Sequence, residues 1–293
     1  MMKNTKKLLI AFVLNLLFSI IEFVGGLFTG SISILSDAVH DFGDAISIGF
    51  SYFMEKISTT KPNTVYTYGY RRYSILGGLI TILILIVGSI FMFVNSIQRL
   101  LEPVIINSDG LVILAIVGLA INVVGSMVVH GNSINQKAVS LHLLEDVLGW
   151  SVVLIGAIVI KFTKWYWIDP VLSIVVSIII VIHAIKALVE ILNIFLIKTP
   201  SQVNPEIIRQ SLVIVPGIYD VHSIRVWSID GENHFATMHV VATHHGKTIK
   251  RIIRETLKKH HIYNSTIEFE DINESCTNTD IIIKNNCNCG HKH

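Results

Sequence analysis

Two pairs of histidine and aspartate, each with a four-residue spacing, are the residues of this sequence best suited to bind a metal. His40 and Asp44 form one pair, in "SDAVHDFGDAIS", and His142 and Asp146 form the other, in "SLHLLEDVLGW". Residues four apart share one face of an α-helix. If the two helices face each other, two imidazoles and two carboxylates complete a tetrahedral site of the type that zinc prefers.

Both pairs lie in strongly apolar stretches, where ionisable side chains are costly. An aspartate at the centre of a bilayer costs roughly 2.5–3.5 kcal/mol on insertion scales. Polar residues in membrane helices also join neighbouring helices without binding a ligand, and we interpret His130 and His183 in that way. Two matching pairs at membrane depth instead favour a metal site.

Five further polar residues of the apolar stretches are candidates for related roles, three of them near the two pairs and two in the first stretch. Asp37 lies on the helix face of the first pair and is a candidate for an entry path. Asp41 and Glu145 are rotated by about 100° from that face, because each helical residue advances by this angle. Asn15 and Glu22 have two open interpretations, as support for the metal ligands or as contacts between helices.

The composition indicates a membrane protein. Of the 293 residues, 52% are hydrophobic and 15% are charged, and the mean hydropathy is +0.62. The net charge of +2 and the lack of a basic patch give no support to nucleic-acid binding. The N-terminal apolar run exceeds a signal-peptide core and lacks a small-x-small cleavage site, so it is interpreted as a retained span. Windows of about 20 apolar residues predict six transmembrane helices, at about 8–30, 32–54, 74–98, 110–130, 139–161 and 170–194.

Basic residues between these spans predict the orientation. Most of them lie at the N-terminus and in the loops on the same side of the membrane, and fewer lie in the opposite loops. Because loops rich in Lys and Arg stay in the cytoplasm, both termini are predicted to be cytoplasmic. The plasma membrane is the predicted location.

The chain becomes more polar after the last span. Helix-type and strand-type patterns follow one another in the order αββαβ, which predicts a small α+β domain. The predicted organisation is a membrane domain at 1–198, a soluble domain at 199–275 and a tail at 276–293. Two interpretations of the tail remain open, a metal-capturing segment or an unstructured terminus with incidental ligands. Its alternating ligand-type residues are Cys287, Cys289, His291 and His293.

Several motifs together resemble the cation diffusion facilitator family, in its zinc-transporter type. They are "GGLFTGSISILSDAVHDFGDA", "YGYRRYSILGGLI", "LHLLEDVLGWSVVLIGA", "WIDPVLSI" and "DVHSIRVWSI", and they occur in family order over almost the whole chain. The resemblance implies six membrane helices, a ferredoxin-like αββαβ cytoplasmic domain, a homodimer and metal/proton antiport. It also implies a transport site made of His40, Asp44, His142 and Asp146.

The resemblance extends to a second candidate metal site in the soluble domain. His222 and His239 occupy positions that are histidine in the family, whereas Arg225 stands where a further histidine is often found. A carboxylate on the last strand would complete the site, with Asp271 preferred over Glu270. Zn2+ is therefore expected as the transported substrate and as a candidate regulatory ligand.

The predicted function is export of Zn2+ from the cytoplasm in exchange for protons, with cadmium or cobalt as further candidate substrates. The expected partners are Zn2+, protons, the lipid bilayer and a second copy of the chain, and no nucleic acid. An intramembrane zinc enzyme is an alternative, but the sequence lacks the H-E-x-x-H motif, and four ligands would fill the tetrahedron. A membrane metal sensor is a third alternative, with its essential ligands in the soluble domain.

Overall fold

A computed structural model of the protein describes residues 4–29, 32–101, 108–163, 167–243 and 246–272. The chain forms two compact units, Met1–Leu192 and Asn193–His293. The first is helical, and the second combines helices with a sheet.

Six long helices make up the first unit. Judged on the described residues, four of them are long and apolar enough to cross a bilayer, whereas the fourth helix contributes a shorter apolar segment and the second carries several acidic residues. Each of the six predicted spans corresponds to one helix, so the predicted fold class is confirmed. The helices are Asn4–Thr29 (α1), Ile32–Ser58 (α2), Arg72–Leu101 (α3), Ser108–Val129 (α4), Ile134–Thr163 (α5) and Ile168–Phe195 (α6).

Close packing brings α1, α2, α4 and α5 together. The rings of Phe18 on α1 and Trp150 on α5 meet edge to face, with their centroids 5.5 Å apart. Gly118 on α4 lies against both rings, and a Cβ there would be only 2.7 Å from Phe18. A glycine is therefore required for this approach. Buried aliphatic residues continue the contact along the bundle, including Leu8, Ile48, Val139 and Leu143.

The second unit follows the predicted order αββαβ. Its first helix begins after Asn204, whose side chain accepts a hydrogen bond from the Glu206 amide, and Pro205 occupies the first helical position. In the sheet, β1 pairs with β2 in antiparallel fashion and β2 pairs with β3 in parallel fashion. The elements are Pro205–Val213 (α7), Ile218–Ser228 (β1), His234–Ala242 (β2), Lys247–Lys259 (α8) and Ile262–Glu270 (β3).

The sheet packs one of its faces into a hydrophobic core with α7 and α8. Ala236, Met238 and Val240 on β2 contribute to this core together with Ile208 of α7 and Ile253 of α8. Because successive strand residues point to opposite faces, the residues between them on β2 point to the other face. That outer face carries the polar residues considered below.

Candidate metal centres

Three of the four predicted transport ligands converge between α2 and α5. One ligand atom from each of Asp44, His142 and Asp146 lies within 4.8 Å of the other two. The Nε2 atom of His142 lies 3.4 Å from Oδ1 of Asp44. His142 is 2% exposed and Asp44 is 5% exposed. The four-residue spacing on α5 does place His142 and Asp146 on one face, directed at α2.

The imidazole of His142 is short of hydrogen bonds. Neither of its ring nitrogens has a hydrogen-bond partner in the part of the chain that the structure describes. A buried polar group without a partner is unfavourable by roughly 1–3 kcal/mol. A metal bound between Asp44, His142 and Asp146 would give one ring nitrogen a ligand bond and would balance two carboxylate charges.

The fourth predicted ligand, His40, lies on α2 one turn before Asp44. Its side chain, like that of Asp37, lies outside the described residues. Its role as a ligand therefore stays a prediction from its spacing.

Two neighbouring carboxylates, Asp41 and Glu145, do not belong to the cluster. Ser89 on α3 donates a hydrogen bond of 2.6 Å to Oε1 of Glu145, which directs this carboxylate toward α3. Asp41 is half-buried on α2. On α1, Asn15 is 2% exposed and Glu22 is fully buried, and both interpretations of these two residues remain open.

A second cluster lies on the outer face of the soluble sheet. Ligand atoms of His222, His239 and Glu270 lie within 4.8 Å of one another. His222 is directly opposite His239 in the register of β1 and β2. The Nδ1 atom of His239 lies 2.6 Å from Oε1 of Glu270, and Nε2 of His222 lies 3.1 Å from Oε2 of the same carboxylate.

The carboxylate of this cluster is Glu270, whereas the sequence favoured Asp271. Glu268 and Glu270 on β3 lie on the same face as His239, since strand residues alternate between faces with a period of two. Glu268 also approaches His239, at 3.5 Å. Asp271 follows the last residue of β3 and is not among the clustered ligands. The structure therefore brings Glu270, rather than the preferred Asp271, to the two histidines.

Sequence reasoning missed two features that position His222. A β-bulge lies between His222 and Arg225, where the register shifts and Ser223 has a positive φ of 52°. Bulges re-aim side chains next to sites, and no residue pattern in β1 indicates this one. Asp220 is the second feature, with Oδ2 located 3.2 Å from Nδ1 of His222. Its position two residues before a strand histidine could have revealed it.

Arg209 of α7 holds Asp220 in position. Its Nη2 donates a hydrogen bond of 3.0 Å to Oδ1 of Asp220, and its Nε donates to the carbonyl of Val221. Partial burial acts to raise the pKa of Asp220, but hydrogen bonds from the Arg209 side chain and the Val221 amide outweigh it, so this pKa is lowered. Asp220 thus stays ionised and faces His222.

The predicted tail ligands lie outside the described residues. Metal binding by Cys287, Cys289, His291 and His293 therefore remains a prediction.

Comparison with known proteins places the chain in one family. A family model described as the cation efflux transmembrane domain matches residues 8–196, and one described as the cytoplasmic domain of cation efflux proteins matches residues 200–272.

Curated relatives cover most of the chain. The zinc transporter ZitB of Pectobacterium atrosepticum is 34% identical over 275 residues, which are 91% of this chain and 86% of the relative. A cadmium, cobalt and zinc/H(+)-K(+) antiporter of Bacillus velezensis is 29% identical over 94% of this chain and 91% of its own length. The metal cation efflux system protein CzcD of Cupriavidus metallidurans is 29% identical over 81% of this chain and 76% of its own length. The chain therefore belongs to the cation efflux family, the cation diffusion facilitators, and is a multi-pass membrane transporter rather than an enzyme.

Proposed function

We propose that the protein exports Zn2+ from the cytoplasm in exchange for protons, and that Asp44, His142 and Asp146, together with His40, bind the transported ion. The observation that carries this proposal is the convergence of buried Asp44 and His142 with half-buried Asp146 between two membrane helices. Relatives named as zinc transporters and as antiporters support it. Cadmium and cobalt, which appear in the name of one relative, are further candidate substrates.

The ligand set favours a borderline metal such as zinc. Nitrogen and carboxylate oxygen are its common protein ligands, and four of them make a tetrahedral site. Magnesium and calcium instead prefer six or more oxygen ligands. A cluster that includes the His142 ring therefore fits zinc better than either.

Protons and metal compete for the same groups in this proposal. A histidine that binds metal must present a ring nitrogen without a proton, and a carboxylate must bind as an anion, so metal binding releases protons. An ordinary histidine has a pKa of about 6.5 and can exchange its proton near neutral pH. Alternating access would then carry Zn2+ in one direction and protons in the other.

In the proposed topology, the protein lies in the plasma membrane and both of its termini are in the cytoplasm. The excess of basic residues on one side of the spans supports it. We also propose a homodimer, and a regulatory metal site at His222, His239 and Glu270, whose ligand atoms are clustered. Metal binding at this site would change the rate of transport, whereas the translocation path would lie in the membrane unit alone.

The decisive experiment is zinc flux into liposomes that contain the full-length protein and a zinc indicator inside. We expect zinc entry to accelerate when the lumen is more acidic than the bath, and to slow when the gradient is reversed. Equal entry rates under both gradients would contradict proton exchange.

Calorimetry of zinc binding in buffers of different ionisation enthalpy counts the protons that are released. We expect His142→Asn to release fewer protons per zinc near neutral pH, because one titrating ligand is missing. An unchanged proton count with zinc binding preserved would show that the coupling does not involve this imidazole.

A further inference from the structure

A buried carboxylate lies near one end of the membrane unit, away from the cluster of Asp44, His142 and Asp146. Glu55 is 5% exposed and lies three residues before the end of α2. Ser74 of α3 donates a hydrogen bond of 2.5 Å to Oε2 of Glu55, and Asn135 of α5 donates one of 3.3 Å to the same oxygen. Both donors are neutral.

Polar groups of three helices surround this carboxylate. Asn135 also donates to the backbone carbonyl of Ser51 at 2.9 Å, and the hydroxyls of Ser51 and Thr81 are 2.6 Å apart. Gly77 of α3 permits the close approach, since a Cβ there would lie 3.1 Å from Oδ1 of Asn135 and 2.9 Å from a side-chain carbon of α2. We call this group the Glu55 cluster, and its members are Ser51, Glu55, Ser74, Thr81 and Asn135.

The Glu55 cluster has more acceptors than donors. Asn135 is fully buried, and its Oδ1 has no hydrogen-bond partner among the described residues. This amide oxygen belongs to the same cluster as the Glu55 carboxylate. An unpaired buried acceptor and a buried negative charge both gain from a bound cation.

The bases nearest in sequence on the three helices do not neutralise Glu55. Lys56 on α2, Arg72 on α3 and Lys137 on α5 are all exposed. Lys137 instead forms an ion pair of 3.0 Å with Glu190 on α6. Within the described part of the chain, the polar contacts of the Glu55 carboxylate come from Ser74 and Asn135 alone.

We propose that the Glu55 cluster is a binding site for the monovalent cation that moves against the metal, either a proton or an alkali-metal ion. One carboxylate is balanced by one positive charge. The side chains of the cluster supply oxygen as their acceptor atoms, with no imidazole or thiolate, and this donor set is poorly suited to zinc. The inference rests on the proposed antiport and adds a second site to it.

The geometry of α2 gives a reason for coupling between the two sites. Asp44, Ser47, Ser51 and Glu55 are spaced by three, four and four residues, so they share one helix face. All four are buried, and the two carboxylates are about 16 Å apart along the helix axis at 1.5 Å per residue. Each site also includes a residue of α5. A shift of α2 against α5 would therefore change both sites at once, which makes the two binding equilibria interdependent.

Glu55→Gln tests this site, because glutamine keeps the length and an acceptor for Ser74 but carries no charge. The full-length protein is placed in liposomes, and zinc entry is followed under a pH gradient without alkali ions, or under a potassium gradient at equal pH. One of these gradients should accelerate zinc entry in the wild-type protein. In Glu55→Gln, we expect about 90% of that acceleration to be lost. Zinc affinity, measured by calorimetry, should stay within about twofold, since the residues that bind zinc are untouched.

Matched controls separate the outcomes. Glu190→Gln removes an exposed carboxylate on α6 and should keep the wild-type response. Ser74→Ala removes one donor to Glu55 and leaves its charge, so it should shift the midpoint of the response to the effective gradient without abolishing it. This variant also decides the matter if Glu55→Gln does not fold. An unaltered midpoint in Ser74→Ala, or gradient-driven entry in Glu55→Gln equal to wild type, overturns the inference. A wild-type protein that responds to neither gradient instead contradicts the proposed antiport.

Discussion

The membrane cluster and the sheet cluster both combine imidazoles with carboxylates, but the contacts between these groups differ in length. In the membrane unit, His142 has neither ring nitrogen in a hydrogen bond with a described residue. In the sheet, His239 lies 2.6 Å from Glu270, and His222 lies 3.1 Å from the same carboxylate. The His142–Asp44 contact of the membrane cluster, at 3.4 Å, is longer than either of these contacts in the sheet cluster.

This difference indicates what a metal would do at each place. Histidine–carboxylate contacts and the register of the strands hold the sheet cluster in shape, so a metal there must displace existing contacts. The membrane cluster places two carboxylates beside one buried imidazole, and a metal there would give the imidazole a ligand bond and balance the carboxylate charges. Loss of a ligand should therefore affect the membrane cluster much more strongly.

The largest effect is expected from Asp44→Asn. This change removes one of two charged ligands from a buried site, and we expect transport to fall by at least about 100-fold, beyond the loss typical of groups that merely support a ligand. Zinc flux in liposomes measures it. Glu145→Gln is the matched control, because Glu145 is hydrogen-bonded to Ser89, and it should keep transport within a few-fold of wild type. Equal losses in the two variants would contradict the assignment.

A smaller effect is expected from His40→Asp. Exchange of a nitrogen ligand for a harder oxygen should weaken the preference for zinc over manganese by about tenfold, or about 1.4 kcal/mol. Competition between the two ions in the flux assay measures the preference. If the ranking of the metals stays the same, His40 has no role in selectivity.

A still smaller effect is expected when the sheet cluster is broken. His239→Ala should lower the affinity for a regulatory metal and change the rate of transport by about two- to threefold, while flux persists.

A chain that ends at residue 273, without the tail cysteines and histidines, should transport as well. Complete loss of flux in either protein, once folding and dimerisation are verified, would place the sheet or the tail in the transport path.

The smallest effect concerns the pH dependence of stability in the soluble unit. The lowered pKa of Asp220 means that its contribution is present above the unfolded pKa of about 3.9 and is lost as the pH falls through the lower folded value. Because Asp220 is only partly buried, solvent screening keeps this contribution below about 1 kcal/mol. Thermal unfolding of the soluble unit can be detected as the onset of proteolytic cleavage within 205–270 while the whole chain is heated. The unfolding temperature measured in this way should depend less on pH between about pH 5 and pH 3 in Asp220→Asn than in the wild-type protein. An identical pH dependence in both proteins would contradict this role.

Local patterns were enough to predict much of this architecture. Six apolar windows correspond to six helices, because a bilayer demands about 20 apolar residues per span regardless of sequence detail. The order αββαβ was likewise visible in the alternation of helix and strand periodicities. The spacing of His142 and Asp146 placed both on one helix face, since the α-helix has a fixed period.

Contacts between distant segments could not be obtained in this way. The sequence alone did not reveal Glu55 as a buried group, because Ser74 and Asn135 lie 19 and 80 residues further along the chain. It also favoured Asp271 over Glu270. The strand face on which each side chain lies depends on where β3 ends and on its register with β2, which the sequence does not show.

The sequence by itself determined the membrane class, the number of apolar helices, the order of the soluble elements and the residue types of the candidate metal ligands. These follow from hydropathy, helical period and side-chain chemistry, which are local properties. The tertiary structure decided which ligands meet, where the bulge at Ser223 redirects β1, and that Glu55 is enclosed by three helices. The physical reason is that packing and strand register are set by the whole set of neighbours, and a residue's partners are not encoded in its own vicinity.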